Sequence, residues 1–181
     1  NGPKGLLNEV LVPLAEALPD LERRDTIVMS GTADAGKHWV GCCGYYTGTF
    51  TNPWLDIFPT GHQISLRFHE FYRVEEGQIV EMQAIWDIPE LMMQAKAWPM
   101  VPSLGREWHV PGPATQDGII LGPRDDERSN DSLALVTNMC AGLANFSTGG
   151  AEAMELEKYW HPRCNWYGPS GIGTGRGLSG F

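Results

Sequence analysis

The sequence predicts an α+β fold in which a helix precedes several long antiparallel strands. Residues 5–17 carry leucine and valine side chains at helical spacing, which form one apolar stripe. Residues 62–74 and 78–87 are long β-type runs that flank a glycine-ended loop at 75–77, a pattern typical of a hairpin. With 181 residues and 42% hydrophobic content, the chain has enough apolar material for one domain with a core.

The other predicted elements follow from the turn-forming residues. Two strands, 26–32 and 37–50, are joined by a turn at 33–36, and a short helix over 89–97 begins at Pro89. These elements make up a first portion, residues 1–97. An irregular connector rich in proline and glycine covers 98–128. A last portion, 129–181, contains helices over 129–146 and 151–158 and a strand over 159–167.

Composition and spacing exclude several classes of partner. The net charge of −9 and the lack of a basic stripe argue against nucleic acid, and Arg23-Arg24 is interpreted as a solvated helix end. No apolar run reaches 18 residues, so no membrane span is predicted. The four cysteines lack zinc-ligand spacing, which favours reduced thiols, a cytoplasmic location and no metal. The chain begins with asparagine, so the sequence leaves open whether a further segment precedes it.

Three stretches resemble one family. Residues 73–81 (RVEEGQIVE) with Asp87 and Gln94 resemble the final hairpin and helix of SnoaL-like domains, in the nuclear-transport-factor-2-like superfamily. Residues 58–62 (FPTGH) resemble the loop before that hairpin, and residues 160–169 (WHPRCNWYGP) resemble the family's first strand. The resemblance implies a cone-shaped curved sheet packed with helices, with a ligand pocket between them.

The resemblance also implies that the parts of the family stand in reversed order in this chain. Residues 129–181 correspond to the family's beginning and residues 5–97 to its remainder. Three explanations stay open: a circular permutant, a homodimer in which each tail completes its partner's cone, and a fragment of a tandem pair.

Alternation along the hairpin sorts its side chains into two faces. The more apolar set is placed inward, towards the helices: Leu66, Phe68, Glu70, Tyr72, Val80, Met82, Ala84 and Trp86. Arg73 and Glu81 then lie on the outer face. Glu70 is the one carboxylate of the inward set, and if unpaired its burial raises its pKa, as a general acid or base near neutrality requires. The alternative is a Glu70 paired with a buried Arg, Tyr or His.

Other site residues come from the ends of the elements. Asp87, at the junction of strand and helix, is a second catalytic candidate, or else a helix N-cap. Ligand contacts are expected from Phe68, Tyr72, Met82 and Trp86. The resemblance of the tail strand adds Asn165 and Trp166 as pocket residues.

The resemblance implies a function and also a departure from it. SnoaL-like polyketide cyclases close rings by an aldol step with an acid on the last strand and a histidine on the strand before. Here those positions are Ala84 and Glu70. The expectation is a small-molecule enzyme that uses acid/base chemistry without a cofactor or metal, as a cyclase, isomerase or hydrolase, on a small hydrophobic ligand. The alternative is a non-catalytic ligand-binding or structural cone. The expected assembly is a homodimer.

Overall fold

A computed structural model describes residues 2–107, 110 and 112–181. The N-terminal helical segment is α-helical over Gly2–Leu6 (α1), becomes a π-helix over Leu7–Leu11 and is α-helical again over Val12–Ala17 (α2). Four strands follow: Glu22–Thr32 (β1), His38–Thr49 (β2), Gln63–Glu75 (β3) and Gln78–Trp86 (β4). The helix Ile88–Gln94 (α3) ends this part. The combination of an antiparallel sheet and helices confirms the predicted α+β class.

The remainder of the described chain is mainly helical or irregular. The connector leads into Asp126–Leu143 (α4) and Phe146–Ala153 (α5). Two short strands, Asn165–Trp166 (β5) and Gly175–Arg176 (β6), pair with each other. The sequence pattern predicts that the first of these helices begins at 129. It begins at 126 instead, because the Asp125 side chain accepts a hydrogen bond from the Arg128 amide and forms the N-cap. The second helix also begins earlier than the predicted 151.

The four long strands form one antiparallel sheet in the order β1-β2-β3-β4. The β3–β4 turn consists of Glu76 and Gly77, both with positive φ (50° and 76°). A two-residue turn replaces the predicted three-residue loop, and a bulge lies between Arg73 and Val74. Beyond the bulge, each residue of β3 therefore pairs with the β4 residue two positions later than the one predicted from the sequence. Beyond the bulge this even shift leaves the side chains on their predicted faces, whereas on the turn side Ile79 pairs with Val74 and Val80, which was predicted inward, has no cross-strand partner.

The inner face of the sheet packs on α2 and α3. The centre of the core is completely buried, with Leu14 from α2, Leu91 from α3 and Leu66 and Phe68 from β3. The predicted inward face is thus the core face. The outer-face pair is also as expected, because Arg73 Nε lies 2.8 Å from a carboxylate oxygen of Glu81.

The C-terminal tail differs from the predicted strand over 159–167. Only Asn165 and Trp166 are extended, because the Cys164 amide donates to the His161 carbonyl in a turn just before them. Their hairpin is separate from the four-stranded sheet. The tail docks on the outer face, where Arg67 donates to the Gly168 carbonyl. The reversed order of parts and the exchange of tails between copies remain predictions.

Within the described part of the chain, no helix is both long enough and apolar enough to span a bilayer.

Candidate functional site

Glu70 lies at the centre of the inner face and is completely buried. Its carboxylate accepts hydrogen bonds from the Tyr72 hydroxyl at 2.5 Å, the Trp86 indole at 2.8 Å and the Tyr46 hydroxyl at 3.0 Å. Arg23 of β1 supplies a fourth donor and the opposite charge. All four strands therefore contribute a side chain to this group, which we call the Glu70 network.

Arg23 is fixed from several sides. Its Nη2 and Nε lie 2.8 and 3.0 Å from the Asp25 carboxylate, and Nη1 also donates to the Tyr46 hydroxyl at 2.8 Å. The guanidinium carbon lies 4.2 Å from the centre of the Phe68 ring, at cation–π distance. All three guanidinium nitrogens are engaged within the protein.

The hydrogen bonds determine the charge of Glu70. Burial raises the pKa of its carboxyl, but the hydrogen bonds from Tyr72, Arg23 and Trp86 and the Arg23 charge outweigh burial and hold the pKa below its usual range. Glu70 is thus paired with an arginine and tyrosines, as in the alternative left open by the sequence, and it is not the unpaired carboxyl whose pKa would be raised. Burial and the neighbouring carboxylate raise the pKa of Tyr46 to about 12, and they also raise the pKa of Tyr72. At neutral pH Glu70 is ionised and both tyrosines are protonated.

Aromatic rings surround the Glu70 network. Tyr46 lies 4.8 Å from Phe68 and 5.2 Å from Trp86, measured between ring centres, and Trp54 lies 6.3 Å from Trp86. Ala84 is the cross-strand partner of Glu70, and its small side chain is exposed. The inner face therefore opens to solvent beside the network.

Four predicted ligand contacts lie with Glu70 on the inner face. Phe68 pairs with Trp86 and Tyr72 pairs with Met82 across the β3–β4 ladder. Phe68 is completely covered by the protein core and has no exposed surface for a ligand, whereas Tyr72 and Met82 are partly exposed.

The sequence-based prediction did not include Arg23 and Tyr46 of the Glu70 network, or Asp25, which pairs with Arg23. Arg23 and Arg24 lie on β1 and not at the predicted helix end. Alternation separates the two arginines, so that Arg24 pairs with the exposed Glu22 while Arg23 reaches Glu70. The available signal was the Arg-x-Asp spacing on a strand that begins earlier than predicted.

Asp87 is not among the described partners of Glu70. One oxygen of its carboxylate accepts from the Glu90 amide at 3.2 Å, which caps α3, and the other accepts from the Ser170 amide at 3.0 Å. The side chain thus joins α3 to the tail, in agreement with the N-cap alternative.

Asn165 and Trp166 do not join the inner-face group either. They belong to the tail hairpin on the outer side, where the Trp166 ring lies 6.0 Å from Trp160 and 4.8 Å from Phe181. The expectation placed them on a first strand of the main sheet, which they do not form.

A second buried charged pair lies where the tail meets the outer face. Glu90 accepts from the Arg67 amide at 2.7 Å, and its other oxygen lies 3.6 Å from the Arg67 guanidinium. Burial raises the pKa of Glu90 to about 7, although the Arg67 charge and the amide oppose the shift. The negative charges of Asp87 and Glu107 also raise the pKa of Glu90.

The comparison with solved structures gives similar proteins of low identity. One is AclR, a putative hydroxylase from Streptomyces galilaeus, with 22% identity, a TM-score of 0.47 and coverage of 56% of this chain and 61% of that one. Another is IdmH, a putative polyketide cyclase from Streptomyces antibioticus, with 22% identity, a TM-score of 0.43 and coverage of 51% of this chain and 63% of that one. A SnoaL-like polyketide cyclase from Agrobacterium tumefaciens is also similar, with 19% identity, a TM-score of 0.40 and coverage of 49% of this chain and 65% of that one. The chain therefore spans less than two thirds of each of these proteins.

No curated protein matches the sequence significantly. The profile of the SnoaL-like polyketide cyclase family matches residues 1–95, which include the four-stranded sheet, α3 and every member of the Glu70 network. The chain belongs to the SnoaL-like polyketide cyclase family.

Proposed function

We propose that this chain is a small-molecule enzyme that performs acid/base chemistry without a cofactor on a small hydrophobic ligand that carries a carbonyl group. The observation that supports the proposal is an ionised, fully buried Glu70 held by four donors on an aromatic face that is open beside Ala84. Apolar walls with a few converging polar groups are typical of small-molecule sites.

In this proposal Glu70 accepts a proton from the carbon next to the ligand carbonyl. A base must be ionised, and the lowered pKa keeps Glu70 ionised at neutral pH. Tyr72 is the donor that would leave Glu70 for the ligand, because its hydroxyl is on a partly exposed residue and makes one described side-chain hydrogen bond. Its hydroxyl would stabilise the oxyanion of the enolate as the proton is removed.

Arg23 and Tyr46 have a positioning role in the same scheme. Arg23 is committed to Asp25, Tyr46 and Glu70, so its charge offsets the buried carboxylate and orients it. Removal of either residue would change the basicity of Glu70 without removing a group that contacts the ligand. A catalytic Asp87 is not needed in this scheme.

The competing proposal is a ligand-binding or structural cone without catalysis. Two observations favour it: Ala84 occupies the position at which the resemblance expects the cyclase acid, and every oxygen of Glu70 already has a donor. A carboxylate bound in this way is a weak base, so its retention for structural reasons alone is physically reasonable.

Proton exchange separates the two proposals. The α-hydrogens of 2-tetralone, a bicyclic aromatic ketone, are followed by proton NMR in D2O with the wild type, Glu70→Gln and the outer-face control Glu81→Gln. If the chain is an enzyme, the wild type exchanges the α-hydrogens faster than buffer alone does. Glu70→Gln should then lose most of this acceleration, and Glu81→Gln should retain it. Exchange at the buffer rate with all three proteins, together with saturable binding of the ketone, would support the binding protein instead.

The homodimer remains a proposal, with exchange of tails as one form of it. Its support is the apolar stripe of α4, in which Leu133 and Val136 are 65% and 51% exposed. Helices with such exposed stripes commonly pack against another surface. Light scattering after size-exclusion chromatography tests the proposal: a mass near 40 kDa is expected for a dimer of the 20.0 kDa chain, and a mass near 20 kDa would contradict it.

A further inference from the structure

A cavity of about 750 Å³ lies beside the tail hairpin, which is attached to Arg67 on the outer face of the sheet. On one side it is lined by the loop 112–116, and on the other by the tail hairpin and the residues next to it. Its polar side chains are those of Gln116, Arg163, Asn165, Arg176 and Ser179. We call it the hairpin cavity.

Both walls of the hairpin cavity are attached to the sheet. The loop is held on β1, because the Val28 amide donates to the Gly118 carbonyl at 2.8 Å and Gly112 packs directly against Thr26. Gly112 has a φ of 127°, a conformation that residues with a side chain rarely adopt. The hairpin is held on the outer face through Arg67 and Gly168. The cavity is therefore a gap between two docked segments.

The charge of the hairpin cavity is opposite to that of the chain. The protein carries a net charge of −9, yet the described lining of the cavity contains two arginines and no carboxylate. Arg176 and Asn165 are cross-strand partners in the hairpin, so their side chains project from the same side. Arg163 makes no side-chain hydrogen bond or ion pair with the described residues.

The geometry points to an oxyanion-binding site: we propose that the hairpin cavity takes a small ligand through a phosphate or carboxylate group. Guanidinium groups bind both oxyanions in bidentate fashion, and the amides of Gln116 and Asn165 and the hydroxyl of Ser179 are further donors. A concave wall concentrates the field of two like charges and attracts an anion in an otherwise acidic protein. The proposal is independent of the function of the Glu70 network.

Binding of such an anion has a mechanical consequence. The ligand would contact the loop that is fixed to β1 and the hairpin that is fixed to β3, and so link the connector to the tail. A ligand that binds only the docked arrangement stabilises it by a free energy that grows with the logarithm of the ratio of ligand concentration to dissociation constant. Amide exchange in residues 165–177 should therefore slow when the anion is present.

The test is a titration of the ¹⁵N-labelled protein at pH 7.0 and constant ionic strength with sodium phosphate in one series and sodium succinate in another. Saturable shifts at Asn165, Arg176 and Ser179 are expected with at least one anion, and the anion with the lower dissociation constant identifies the group. The Arg163→Gln/Arg176→Gln variant should raise that constant at least tenfold. The Arg128→Gln/Lys158→Gln variant, which removes two positive charges outside the lining of the hairpin cavity, should leave it within twofold.

Three results would overturn the proposal: no saturable shift with either anion, equal weakening in the control variant, or wild-type affinity in the arginine variant. The position of the Trp166 indole resonance reports whether the hairpin survives the substitutions. If the double variant loses the hairpin, the single Arg163→Gln variant decides, because that residue is exposed and its side chain makes no hydrogen bond or ion pair with the described residues. An unchanged dissociation constant in the single variant would then overturn the proposal as well.

Discussion

Glu70 and Ala84 are cross-strand partners on the inner face of the sheet, in neighbouring strands β3 and β4. The resemblance to SnoaL-like cyclases places the catalytic acid at Ala84 and its histidine support at Glu70. The carboxylate therefore lies one strand away from the expected position, and the methyl group opposite it leaves the face open. The hairpin thus has a carboxylate where the resemblance expects the supporting histidine, and a methyl group where it expects the acid.

Substitution of Glu70 should lower both activity and stability. Glu70→Gln removes the charge that pairs with Arg23 and leaves a buried donor set facing a neutral amide, so we expect a loss of about 2–4 kcal/mol in the free energy of unfolding. Urea denaturation measures this loss. The control Glu81→Gln, whose side chain is 39% exposed on the outer face, should change stability much less than Glu70→Gln. Equal losses in both variants would contradict a special role for the Glu70 network.

The pH dependence of ketone exchange distinguishes an ionised Glu70 from one with a raised pKa. Since hydrogen bonds lower the pKa of Glu70 and burial raises the pKa of Tyr72, neither group should titrate between pH 6 and 9. The enzyme-catalysed rate, corrected for the buffer rate, should be constant over this range. A sigmoidal rise with a midpoint near neutrality would instead indicate the raised carboxyl pKa expected from the sequence.

Glu90 should make stability depend on pH in the opposite sense to an ordinary paired carboxylate. Its pKa rises from 4.5 to about 7 on folding, so between these values the folded state binds more protons than the unfolded state. The free energy of unfolding through this group therefore falls as pH increases from about 4.5 to 7. Glu90→Gln should flatten this part of the stability curve, measured by urea denaturation at several pH values. A wild-type slope in the variant would contradict the assignment.

Gly44 is required by the close approach of three strands. A Cβ atom at this position would lie 2.1 Å from the Arg24 carbonyl oxygen and 2.8 Å from the Phe68 ring. Since neither the strand backbone nor the buried ring can move freely, Gly44→Ala should cost about 3 kcal/mol or more. Gly31→Ala is the matched control, because a Cβ there meets nothing within 4 Å. Thermal unfolding of both variants tests the difference, which should vanish if the strands can separate.

Asp87 should act on the tail rather than on the chemistry. Asp87→Ala removes the cap of α3 and should cost about 1 kcal/mol. It also removes the acceptor of the Ser170 amide, so hydrogen exchange at Ser170 should accelerate while ketone exchange at the Glu70 network stays unchanged. Asp125→Ala removes the cap of α4 and should leave Ser170 protected. Loss of ketone exchange in Asp87→Ala would restore Asp87 as a catalytic candidate.

Local sequence signals were sufficient for the hairpin and for its faces. Beyond the bulge after Arg73, alternation along β3 and β4 gives the observed faces, because a register shift of two residues does not exchange them. The partners of Glu70 could not be predicted in the same way. Arg23 is 47 residues away in sequence and Tyr46 is 24 away, so their contacts depend on the order of strands in the sheet.

The tail was the least predictable part of the chain. Its aromatic alternation from Tyr159 to Tyr167 is typical of a strand, but the turn at His161–Cys164 and the clustering of Trp160, Trp166 and Phe181 give a small separate hairpin. Local packing of large rings outweighs the strand pattern here. The consequence for the site is that Asn165 and Trp166 lie on the outer side.

The most direct test of the central claim is where a ketone binds. The indole N–H of Trp86 donates to Glu70 and reports on the inner face, whereas the indole of Trp166 reports on the tail hairpin. In a titration of ¹⁵N-labelled protein with 2-tetralone, we expect a saturable shift of the Trp86 indole resonance and none at Trp166. A shift confined to Trp166, with Trp86 unmoved at saturation, would contradict this claim.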